Sequence, residues 1–228
     1  MHDKAPNLKM KILILTDSIA NPRSIPVNSA VTLEQTYPYI LRNIFKDATF
    51  WQLSCGYMTV ESLANQAIPY LSDWQPEFII IHAGINDCRP EAFSELQKSI
   101  LQQLTGRFFR FVKRHVYNPR LIRIRNKSRV SKKSFRKTLN KLNLIFDTSK
   151  VLFIEISANE KYEAARPGVM KKMKEYNDIA SEVFSDGFIP VCNSLNEASA
   201  FNQDNLHINS EGHKIIAQSL IKSITNTC

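Results

Sequence analysis

The chain has 228 residues, 43% of them hydrophobic, and a formal net charge of +9 at pH 7. That length accommodates one large domain, read here as residues 1–228, whose core needs no disulfide or metal staple. The composition excludes a fibrous or intrinsically disordered chain. No run reaches the about eighteen apolar residues that span a bilayer. Met1–Met10 lacks the apolar stretch and small-residue cleavage site of a signal peptide, so a cytoplasmic location is expected.

Short apolar runs alternate with helix-length amphipathic stretches. Lys11–Leu15 (KILIL) reads as a buried strand. Val31–Phe45 carries Leu33, Tyr37, Ile40, Leu41 and Ile44 on one stripe and predicts a helix. Thr49–Leu53 is a second strand and Thr59–Leu71 a second helix. Phe78–His82 (FIIIH) is the clearest strand, bounded by Pro76 and Gly84. Val151–Ile156 and Phe188–Cys192 are two more strands, and Gly168–Phe184 and Ser210–Ile224 two more helices. Ser210 is the expected N-cap of the last helix. Strand and helix alternating in this way predict a three-layer α/β/α sandwich with a five-stranded parallel sheet of flavodoxin-like order. Ligands of such sheets bind at the carboxyl ends of the strands.

Residues 91–149 break that rhythm, being too long for one crossover helix. They predict a basic helical insertion: a helix over Phe93–His115, a basic connector, and a helix over Ser131–Phe146. No Asp or Glu occurs from Leu96 to Phe146, yet half of the chain's 30 Lys and Arg fall there. Such a block points to an anionic neighbour. A solvated basic lid is the first reading; docking to a membrane surface or a charged glycan carrier comes next, ahead of nucleic acid. Phe108 and Phe111 lie at helical spacing and read as a core stripe rather than as stacking platforms. Cys55, Cys88, Cys192 and Cys228 form no CxxC pair and are expected to be reduced thiols. No cluster has metal-ligand spacing, and no cofactor is expected.

Three clusters with chemistry fall at strand ends or helix starts: Thr16-Asp17-Ser18-Ile19, Gly84-Ile85-Asn86-Asp87 and Asp204-Asn205-Leu206-His207. A serine hydroxyl becomes a nucleophile when a histidine takes its proton. A carboxylate must orient that histidine, and preorganised donors must meet the oxyanion. Asp204 and His207 sit three apart on one segment, so a single turn can supply base and orienter. Ser18 can supply the hydroxyl, and Asn86 with a backbone N–H can supply oxyanion donors. His82 is expected to be a hydrogen-bonded sheet residue, and His213 structural or exposed.

These blocks resemble the SGNH (GDSL-like) hydrolases. Gly84-Ile85-Asn86-Asp87 and Asp204-x-x-His207 match the family's blocks in full. Thr16-Asp17-Ser18-Ile19 matches with Thr16 in place of glycine, a substitution expected to shift the nucleophile turn. Gly56 most nearly matches the glycine of the second block. The resemblance implies Ser18, Asp204 and His207 as the catalytic residues, with Ser18, Gly56 and Asn86 forming the oxyanion hole. It also implies a metal-independent serine esterase acting on an acyl ester of a carbohydrate or similar polar substrate. Carbohydrate O-acyl transfer by the same residues, and a non-catalytic binding protein acting through the basic segment, stay open as alternatives. Ser18–Arg23 (SIANPR), Tyr37-Pro38-Tyr39 and Asp87-Cys88-Arg89-Pro90 resemble members associated with bacterial surface-polysaccharide gene clusters.

Overall fold

The computed structural model describes residues 9–25, 30–93, 97, 100 and 118–227. In chain order the elements are β1 (Lys11–Thr16), α1 (Tyr37–Ile44), β2 (Thr49–Ser54), α2 (Val60–Leu71), β3 (Phe78–His82), the single turn α3 (Ile85–Cys88), and β4 (Pro90–Glu91). Then come α4 (Pro119–Arg125), β5 (Lys127–Ser128), α5 (Lys132–Ile145), β6 (Lys150–Ile154), α6 (Tyr162–Ala165), α7 (Val169–Val183), β7 (Phe188–Ile189), α8 (Cys192–Glu197) and α9 (Ser210–Thr225).

Five strands form one parallel sheet in the order β2-β1-β3-β6-β7, the flavodoxin-like doubly wound arrangement. Helices α1 and α9 pack together on one face, and α2, α5 and α7 on the other. The central strands are covered on both sides, which is why they read as unbroken apolar runs. Leu13, Ile14, Ile79, Ile80, Ile81 and Leu152 are fully buried. The chain leaves β1 toward one edge and returns through β3 toward the other, so the ends of β1 and β3 flank the crevice where the winding reverses.

Several sequence expectations shift at their ends. The expected helix over Val31–Phe45 divides into a 3-10 turn at Leu33–Gln35 and α1, separated by Thr36. Pro38, in the first turn of α1, has no N–H and a fixed φ, which suits a helix start and not an interior. Leu33 is accordingly exposed. The last strand is shorter than Phe188–Cys192. Pro190 cannot donate to a ladder, and the N–H groups of Val191 and Cys192 both donate to Glu155 Oε2 at 2.8 Å, opening α8 instead. Asn209, not Ser210, caps α9: its side chain accepts from the N–H of Glu211 and Gly212.

The basic stretch also resolves into parts. β4 and β5 form a two-stranded antiparallel ribbon that closes an excursion carrying α4. Helix α5 lies beyond it and is a crossover helix of the sandwich, burying Phe135, Leu139 and Leu142 against the sheet. The helix expected over Phe93–His115 falls outside the described residues.

Candidate active site

Ser18 follows β1 by two residues, in a short 3-10 turn that Asp17 caps. Asp17 is fully buried, and its carboxylate accepts from Ile19 N–H at 3.0 Å and from the Asn86 amide at 3.1 Å. The turn is pinned to its neighbours by Asp17 N–H donating to the His82 carbonyl and Ser54 Oγ donating to the Asp17 carbonyl. Thr16 stands immediately before it. Its hydroxyl donates to the His82 carbonyl at 3.0 Å, and its pairing with His82 and Ser54 keeps the strand register. The threonine thereby ties β1 to β3 immediately below the serine.

His207 and Asp204 arrive on a loop fastened at both ends. Asn202 N–H donates to the His207 carbonyl, Phe201 bridges to Ile208, and Asn209 N–H donates to the Ala200 carbonyl. Within the loop, Asp204 Oδ1 accepts from the backbone N–H of Leu206 at 3.1 Å and of His207 at 2.9 Å. Asn205 takes a left-handed conformation at φ 58°, which asparagine tolerates better than most residues. That turn brings His207 Nδ1 to 2.6 Å from Asp204 Oδ2. On its far side His207 Nε2 lies 2.9 Å from Ser18 Oγ. The three expected residues thus form one hydrogen-bonded chain across 189 residues of sequence. Burial opposes the Asp204 charge, but the bonds from the His207 ring and backbone outweigh it and hold this carboxyl well below the usual carboxylate range. A carboxylate that stays ionised beside Nδ1 fixes the tautomer with its proton on Nδ1 and leaves Nε2 to accept from Ser18.

Asn86 lies on α3 at the end of β3. The preceding Gly84 has a φ of +129°, and a Cβ there would stand 2.5 Å from Ile156 Cδ1, so both backbone and packing require glycine. The Asn86 amide donates to Asp17 and to the Met58 carbonyl at 3.2 Å. It is therefore fixed beside the serine turn, and meeting an oxyanion requires it to exchange the Met58 bond. Gly56 sits on the exposed turn after β2, held near the site through Cys55 N–H donating to the Thr16 carbonyl. Nothing crowds a Cβ at Gly56, and the left-handed residue of that turn is Tyr57, at φ 63°.

The expectation for His82 is corrected, and His213 takes the structural one of its two expected roles. His82 is buried, and neither ring nitrogen has a hydrogen-bond partner among the described residues. Burial first, and then the nearby His213, push its pKa down to about 3, so it stays neutral and packs against the Tyr37 ring. His213 is buried too, and its Nδ1 accepts from Tyr37 N–H at 3.2 Å. Two features were not legible in the motifs. Asp87 is buried and caps α2 with both carboxylate oxygens on Val60 N–H, and burial raises its pKa to about 7. Asp17 is raised to about 7 for the same principal reason. The second feature is Arg23, whose guanidinium lies 3.6 Å from Asp204 Oδ2. Among the described residues no group of three His, Cys, Asp or Glu side chains converges to hold a metal ion. Cys55, Cys88 and Cys192 are free thiols.

A doubly wound sheet with a serine and an asparagine at its reversal point, facing a histidine from the last loop, is the α/β sandwich architecture of SGNH-type hydrolases. Residues 14–220 match the GDSL-like Lipase/Acylhydrolase family, and the chain belongs to it. It is an ester-bond hydrolase by that membership. Solved structures share the fold over nearly full lengths at low identity. A lipase/acylhydrolase from Enterococcus faecalis has 15% identity and a TM-score of 0.66, with 96% of each chain covered. The α/β hydrolase LAE5 from the metagenome of Lake Arreo, Spain, has 17% identity and a TM-score of 0.62, with 94% of each covered. A variant of Axe2, an acetyl-xylooligosaccharide esterase from Geobacillus, has 16% identity and a TM-score of 0.59, again with 94% of each covered. No curated protein sequence matches the chain.

Proposed function

We propose that the protein is a serine esterase that removes a small acyl group from a carbohydrate or similar polar alcohol. The observation that carries this reading is the continuous chain from Ser18 Oγ through the His207 ring to Asp204. Ser18 Oγ attacks the ester carbonyl while His207 Nε2 takes its proton, and Asp204 stabilises the resulting imidazolium. The oxyanion is met by the N–H groups of Ser18 and Gly56 and by the Asn86 amide. Collapse expels the alcohol, which receives the proton from His207, and leaves an acyl-Ser18. Water, deprotonated by the same histidine, then releases the carboxylic acid and restores the serine.

Two observations support a polar, small-acyl substrate. The cleft at Ser18, about 320 Å³, has Asn21, Arg23 and Ser24 among its lining residues, which suits a hydroxylated molecule. An acetyl-xylooligosaccharide esterase shares the fold. Surface-polysaccharide assembly is the setting that the resemblance of Ser18–Arg23, Tyr37-Pro38-Tyr39 and Asp87-Cys88-Arg89-Pro90 implies.

The basic excursion serves in this reading as a docking surface for an anionic membrane face. Arg120, Arg123 and Arg125 on α4 are exposed, and Ile124 among them is 78% exposed. Lys133, Lys137 and Lys141 are exposed on α5, opposite its buried side. Lys and Arg near an apolar contact are the chemistry that anionic lipid surfaces attract. No helix among the described residues is long and apolar enough to cross a membrane.

The test is turnover of short-chain esters and acetylated sugars by purified protein, with and without a sugar acceptor. Release of free acid from acetylated sugars, undiminished by the acceptor, is expected. Acyl-sugar formation in place of acid would make the protein a transferase, and no turnover of any ester would overturn the reading.

A further inference from the structure

Arg23 lines the cleft that contains Ser18, and it is the only formally charged residue among those described there. Its backbone is fixed by a reciprocal pair of bonds with Val31, Arg23 N–H to the Val31 carbonyl at 2.8 Å and Val31 N–H to the Arg23 carbonyl at 2.7 Å. Its side chain is 29% exposed, and its guanidinium approaches Asp204 Oδ2 only to 3.6 Å, beyond hydrogen-bond length. Asp204 also has other partners. Its two oxygens already accept from Leu206 N–H, His207 N–H and His207 Nδ1 at 3.1, 2.9 and 2.6 Å. The carboxylate therefore holds the arginine near the nucleophile by charge without engaging its planar fork.

We propose that Arg23 is a specificity-determining residue that receives an anionic oxygen group of the substrate, a carboxylate or a phosphate a few bonds from the ester carbonyl. This rests on the esterase reading of the same site. Guanidinium donors match such groups in pairs, and a charge-assisted pair is stronger than a bond to a neutral acceptor. A neutral ester of equal size offers these donors only uncharged acceptors, which bind them more weakly. The site accordingly turns over acidic O-acyl substrates in preference to neutral ones.

The experiment compares kcat/KM for acetylated glucose, acetylated glucuronate and acetylated glucose phosphate in wild type, Arg23→Gln and Arg23→Lys, alongside fluorophosphonate labelling of Ser18. Wild type is expected to favour one or both acidic esters by about 10- to 100-fold, the worth of a charge-assisted pair. The two acidic arms identify which oxygen group the site takes. In Arg23→Gln that preference should collapse through loss on the acidic esters, and Arg23→Lys should retain part of it. Absence of preference in wild type overturns the proposal. So does an equal loss on all three esters in Arg23→Gln, which would make Arg23 a positioning residue for Asp204. Failure of Ser18 to label, with no ester turned over, would instead bring down the esterase reading beneath it.

Discussion

At the carboxyl ends of β1 and β3, Asp17, Asn86, Asp204 and His207 each take part in two or more hydrogen bonds. In the described part of the excursion between β3 and α5, Arg120, Arg123 and Arg125 stand exposed on a seven-residue helix whose one buried residue is Ile122. The first region is over-determined: several bonds must break before any one group moves. The second is tied down by a ribbon of two residues on each side. Preorganised chemistry needs the first kind of construction. A charged surface needs only to be presented, because exposed charges act through a field and not through fixed geometry.

The sharpest way to break that contrast is at the serine. Ser18→Ala should lower kcat on any accepted ester by about 10⁴-fold or more, as loss of a nucleophile in such a constellation does. Steady-state kinetics measures it, with circular dichroism to show the fold retained. Next in size is Asn86→Ala. It should lower kcat by about 10²–10³-fold with KM little changed, if the amide serves the oxyanion. The same change removes a donor from the buried Asp17 and should cost about 1–3 kcal/mol in denaturant unfolding. A stability loss with kcat unchanged would mark Asn86 as a brace only.

Asp17 and Asp87 give the site region a pH signature. Burial raises both folded pKa values to about 7, above the ordinary carboxylate value of an unfolded chain. The folded state therefore binds protons that the unfolded state releases across that interval. Their contribution to stability is full below about pH 4 and is lost as pH rises through about 7. Asp204 acts in the opposite sense, since its folded pKa is depressed. Its contribution is present above the ordinary carboxylate pKa and lost as pH falls below it. Buried His82 and His213, whose folded pKa values are lowered, oppose this between about pH 5.5 and 8, so the variant carries the test: Asp17→Asn should make the thermal midpoint rise more, or fall less, from pH 5.5 to 8 than it does in wild type. An unchanged slope in Asp17→Asn would contradict this.

The smallest expected effect on chemistry comes from the other region. Reversing Arg120, Arg123 and Arg125 to Glu should reduce sedimentation with anionic liposomes, and wild-type binding should weaken steeply with salt, as charges screened over about 8–10 Å do. Turnover of a small neutral ester should change little. Equal loss on that ester would mean that the excursion shapes the active site.

The sequence is most legible where local chemistry and topology agree. FIIIH coincides with β3 at both ends because it is uniformly apolar and closed by Pro76 and Gly84. Ser18, Asn86, Asp204 and His207 could be grouped from sequence because doubly wound sheets gather strand ends at one edge. What was not legible depends on partners distant in sequence. The short β7 follows from Glu155 capturing the N–H groups of Val191 and Cys192. The unbonded ring of His82 follows from burial beneath Tyr37, and no strand pattern records that. Arg23 ends the SIANPR motif, but its place beside Asp204 depends on a loop far along the chain, which the motif does not record. The charge block after Leu96 signals a partner but carries no geometry, so the position of α5 within the sandwich could not be separated from the excursion before it.

The central claim is that the hydroxyl at the end of β1 is the nucleophile. It is tested most directly by treating the protein with a fluorophosphonate and mapping the modified peptide by mass spectrometry. A single adduct on Ser18 is expected, absent in Ser18→Ala and strongly slowed in His207→Ala, where the proton acceptor is gone. An adduct on another serine, or undiminished labelling of a folded Ser18→Ala protein, would contradict it.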